Sequence, residues 1–233
     1  MAIELAQIML DENYKKHGNT FFKVQGDGIL VVVKFEKEHH IPIPVLSIDL
    51  RSIYSKIEDW IKSPRNLFGR YMVLSFIGKT PGGVFNDDYS AVTEWYYPSK
   101  EEQTEIFRDN CLPEIRRLKT QDDLVDMINR MEIMEFKSTL NNNPDKIASY
   151  LFCNKYQEAL AVVNGIIAQN ESGSEQERKM MTQKDYQEYM DRAKQIVKPF
   201  YELQQWILSQ DRERIQSYLS ENYQRNKTIL RLK

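Results

Sequence analysis

A chain of 233 residues with 41% hydrophobic and 28% charged side chains has a globular composition, and is long enough to bury a core in one large domain or two small ones. Its 32 basic and 34 acidic residues leave a net charge of −2, split as 18 against 22 before residue 140 and 14 against 12 after it. Near balance in both halves excludes the broad basic field of a nonspecific nucleic-acid binder, and no apolar run approaches the roughly 20 residues needed to cross a bilayer.

The first predicted element is a helix running to Lys16, with Ile3, Ala6, Leu10 and Tyr14 on one stripe; Lys15, Lys16 and His17 fill its last turn and Gly18 stops it. Thr20 to Val24 and Ile29 to Phe35 then form a hairpin across Gln25-Gly26-Asp27-Gly28, whose Asp-Gly pair is a tight-turn signal. Ile29 to Val33 is apolar on both faces, which predicts a central strand covered at least in part on both sides. A third strand begins after Pro42 and Pro44. Its alternation sends Leu46, Ile48 and Leu50 one way and Ser47, Asp49 and Arg51 the other.

Ser55 and Glu58 form a capping-box pattern for a short helix through Trp60 and Ile61. Tyr71 to Ile77 reads as a fourth strand, Lys79 to Ser90 as a long loop, and Thr93 to Tyr97 as a fifth strand. Helices follow. Ser99 with Glu102 caps one that Pro113 should bend or interrupt, and Thr120 with Asp123 caps the next. The Asn141-Asn142-Asn143-Pro144 junction divides an α+β region, residues 1–140, from a helical C-terminal region, residues 141–233. The second region holds two short antiparallel helices meeting at Asn154 and a polar, mobile stretch from Asn170 to Gln176. A helix capped by Thr182 and Asp185 comes next, with Pro199 either kinking it or starting another. The last helix carries Ile215, Tyr218 and Leu219. Overall the fold class is α+β: a mostly antiparallel sheet of about five strands flanked by helices, then helices alone.

No constellation of catalytic residues stands out. His39 and His40 are adjacent on an extended segment, so they point apart and chelate poorly. Asp87 and Asp88 sit behind Pro81-Gly82-Gly83, where two carboxylates could hold magnesium or simply satisfy their own turn. Cys111 and Cys153 are isolated thiols within helical sequence. They suggest a reducing cytoplasm rather than a disulfide framework, and the N-terminus reads as no secretion leader. Arg225, Lys227, Arg231 and Lys233 crowd the C-terminus, where cations suit the end of a helix. One arrangement suits an interface: Asp49 and Arg51 share a strand face, and Glu94, Trp95 and Tyr97 could bring charge and aromatic surface beside them. The competing reading is that Trp95 and Tyr97 face the core.

Two resemblances accompany these elements. The run Lys15-Lys16-His17-Gly18-Asn19-Thr20-Phe21-Phe22, the hairpin into Val31-Val32-Val33-Lys34-Phe35, the Ile48-Asp49-Leu50 strand and Glu94-Trp95-Tyr96 together resemble a bacterial domain-of-unknown-function family, numbered 4304, over residues 3–135. That resemblance implies an N-terminal helix and a small sheet flanked by helices, but no activity and no catalytic residue. Ala148, Tyr150 and the run Asn154 to Leu160 resemble the centre of a single tetratricopeptide repeat; one partial copy implies a lone helical hairpin, since stacked repeats need about three. The expectation is therefore a non-enzymatic bacterial interaction protein of immunity or antagonist type, with a protein partner, no nucleic acid, no membrane, no metal and no cofactor. The alternative is an enzyme using the loop carboxylates Asp87 and Asp88, with magnesium.

Overall fold

The structure, a computed structural model, describes residues 3–18, 20–36, 45–56, 99–135, 144–171 and 175–232. It divides into two compact units: Met1–Ile53 with Ile57–Glu135, called here the sheet unit, and Tyr54–Lys56 with Phe136–Lys233, the helical unit. No helix among the described residues is long and apolar enough to cross a membrane.

In the sheet unit, α1 (Ile3–Asp11) is shorter than its apolar stripe predicts. Asn13 takes the left-handed conformation (φ 61°). The amides of Asn13 and Tyr14 return to the carbonyls of Leu10 and Met9 at 3.0 and 2.9 Å, closing the helix five residues early. Lys15–His17 is consequently not a last helical turn but an exposed edge strand, β1, paired with β2 (Thr20–Gln25). Gly18, expected to stop the helix, instead supplies the left-handed residue (φ 57°) of the turn between these strands. Short, charged edges of this kind resist pairing with foreign strands.

β2 pairs with β3 (Ile29–Glu36), and β3 with β4 (Val45–Ser52), giving the antiparallel order β1-β2-β3-β4. The apolar run in β3 does lie centrally, and Ile29 to Val33 are all buried. Among the described residues there are four strands rather than about five. The predicted strands at 71–77 and 93–97, and most of the predicted helix after Ser55, lie outside those residues. One sheet face, with Phe21, Val31, Val33, Leu46, Ile48 and Leu50, packs with Leu5 and Met9 of α1 and with the helices after residue 99.

Those helices follow their caps. Ser99 and Glu102 exchange both capping-box hydrogen bonds at the start of α2 (Lys100–Ile106). A five-residue π turn, Phe107–Cys111, then joins α2 to α3 (Leu112–Arg117). Pro113 has no amide to donate, so the ladder cannot pass it in ordinary register. The wider turn absorbs the break, with the Leu112 amide reaching back to the Phe107 carbonyl. Pro113 thus interrupts the helix as expected, and the chain continues without a sharp end. In α4 (Gln121–Glu135) the Thr120 hydroxyl accepts from the Asp123 amide, while Asp123 accepts from the amides of Lys119 and Thr120. Those bonds hold the Asp123 carboxyl below its usual pKa. Gln103, 1% exposed, accepts from the Leu46 amide at 2.6 Å, tying α2 to the start of β4.

Glu12, just past α1, is bonded by the Arg116 guanidinium and faces Lys23 at 4.0 Å. The Arg116 bond above all holds its carboxyl below the usual range for a glutamate. A carboxylate lowered on folding stabilises the native state above its unfolded pKa, and that support is lost as pH falls through the folded value. Glu12→Gln is expected to be less stable than wild type at pH about 7, with the gap closing toward pH about 3. Urea unfolding at both pH values measures this; a gap independent of pH refutes it.

The helical unit comprises α5 (Pro144–Phe152), α6 (Tyr156–Glu171), α7 (Glu175–Met180), α8 (Gln183–Leu208) and α9 (Arg212–Ile229). The predicted hairpin at Asn154 is present, with Asn154 left-handed (φ 59°) and Lys155 bonded to the Tyr150 carbonyl. Asn170 and Glu171 complete α6, and Glu175 opens α7, where a polar mobile stretch is expected; residues 172–174 lie outside the described set. Thr182 caps α8 as predicted. Pro199 sits inside this one continuous helix. Burial of Val197 before it and of Leu203 and Ile207 after it keeps both halves on one core.

Candidate functional site

The last helix carries the most informative surface. On α9, Ile215, Leu219, Asn222, Asn226 and Leu230, just past its end, follow one another at spacings of four, three, four and four, and all five are buried. That is the period of a core-facing stripe, yet two of its members are amides. Asn222 is 8% exposed and Asn226 is fully buried. Burying an amide is unfavourable unless it is hydrogen-bonded, so these positions call for polar partners.

The partners are main-chain carbonyls. Asn222 Nδ2 donates to the Tyr54 carbonyl at 3.1 Å, and Asn226 Nδ2 donates to the Ser55 carbonyl at 2.7 Å. Tyr54 to Lys56 follow the end of β4 and are neither helix nor strand. Consecutive carbonyls can be offered sideways only by such a segment, because a helix or sheet would engage them in its own ladder. The Tyr54 ring stacks on Phe152 of α5 (centroids 4.4 Å apart, planes at 23°) and on Tyr223 of α9 (5.5 Å, 23°). Lys227 stands over the outer partner, with Nζ 5.6 Å from the Tyr223 centroid. Ser55 is buried, whereas Lys56 is exposed. The helical unit therefore has a seat that takes one flat ring, two successive carbonyls and one small side chain.

Of the residues singled out from the sequence as an interface, Asp49 and Arg51 are the two among the described residues, and they belong to the sheet unit rather than to this seat. Asp49 and Arg51 share a strand face as predicted, but they are 5% and 8% exposed, so that face is not the open polar surface expected. Arg51 Nε donates to Asp49 Oδ2 at 2.7 Å. They lie across from Val32 and Leu30 on a sheet face where Phe22 and Lys34 are buried too. Alternation says which residues share a face; it does not say whether that face meets water. Glu94, Trp95 and Tyr97, and likewise His39, His40, Asp87 and Asp88, lie outside the described residues.

Cys111 is buried in the sheet-unit core, and desolvation pushes its thiol up to about 12, which keeps it protonated and unreactive. Cys153 is partly buried. Among the described residues no three His, Cys, Asp or Glu side chains gather as a metal site. Asn222 and Asn226 were legible in principle: they continue the spacing of Ile215 and Leu219, and polar residues at core positions need an explanation. The segment they hold, some 170 residues earlier, carries no such signal. Compared with known proteins, the chain matches no family model, no curated protein and no solved structure.

Proposed function

We propose that this chain is a non-enzymatic interaction protein that holds another protein through its helical unit, as an immunity or antagonist-type partner would. The observation that supports this reading is the pair of buried amides, Asn222 and Asn226, gripping successive carbonyls of an irregular segment beside an aromatic slot. Such a surface is suited to holding a polypeptide: its donors fix the main chain, and its rings supply contact area at low entropic cost. The test is affinity capture of the full chain from its native cell, followed by reconstitution of any captured protein with the purified chain. A single protein that reconstitutes at fixed stoichiometry is the expected result. Failure of every captured protein to rebind the folded, purified chain would overturn the reading.

A further inference from the structure

We draw no further inference here: the strongest candidate, the partly exposed apolar stripe of Tyr186, Tyr189 and Met190 along the first half of α8, preceded by exposed Met180 and Met181, carries nothing because nothing in the structure shows what covers it.

Discussion

Gly26→Ala should destabilise the sheet unit severely, by about 3 kcal/mol, combining left-handed backbone strain with a collision that cannot relax cheaply. Gly26 has φ 52° and lies in the β2–β3 turn directly against the backbone of Lys119. A Cβ there would stand 2.7 Å from the Lys119 carbonyl carbon and 2.9 Å from its Cα, and closer still to the oxygen. The close approach has a purpose, since the Asp27 amide donates to that same carbonyl at 2.9 Å. Around it Gln25 Nε2 donates to the carbonyls of Ile115 and Leu118, and Gln121 Nε2 donates to the Asp27 carbonyl. The hairpin is thereby clamped to the chain between α3 and α4, and neither side can retreat without breaking several bonds. Gly18 is the control: its φ is 57°, but among the described residues a Cβ meets nothing within 4 Å. Gly18→Ala should cost only the strain, about 1 kcal/mol. Urea denaturation of the two variants measures the difference, and similar losses would show that the Lys119 contact contributes nothing.

Phe107→Ala is expected to be at least as damaging, at about 3–5 kcal/mol, because a fully buried aromatic leaves a cavity that rigid neighbours fill poorly. Phe107 is 0% exposed and opens the π turn, packed in the same core as Met9, Phe21, Val33, Cys111 and Ile128. Its backbone carbonyl also takes the Leu112 amide across the wide turn, and that bond survives the substitution. Phe107→Leu, which keeps most of the volume, should lose roughly 1.5 kcal/mol or less. If the alanine and leucine variants unfold at the same urea concentration, the core around the π turn is not close-packed and the assignment fails.

Local signals carried most of the fold, and they failed where two of them competed. The capping pairs Ser99–Glu102, Thr120–Asp123 and Thr182–Asp185 each start a helix, because a cap is a contact between residues three apart and needs nothing distant. Helix ends were harder to read. Asn13, Asn154, Gln210 and Arg231 are the non-glycine residues in left-handed closures among those described, whereas a sequence reading looks to glycine. At the first of them, Tyr14 sits on the predicted helical stripe yet lies beyond the closure, and the pairing of Lys15–His17 with Thr20–Phe22 decides its conformation.

By itself, the sequence determined the α+β class, the hairpin through Gly26 to Gly28, the central place of β3, the helix starts and the interruption at Pro113. Each of these follows from residue period, turn chemistry or a missing amide within a few positions. Only the tertiary structure decided that Asp49 and Arg51 are buried together, that Gly26 abuts Lys119, and that Asn222 and Asn226 hold Tyr54 and Ser55. The physical reason is the same in all three cases. Periodicity assigns a side chain to a face, but what covers that face depends on segments tens to hundreds of residues away.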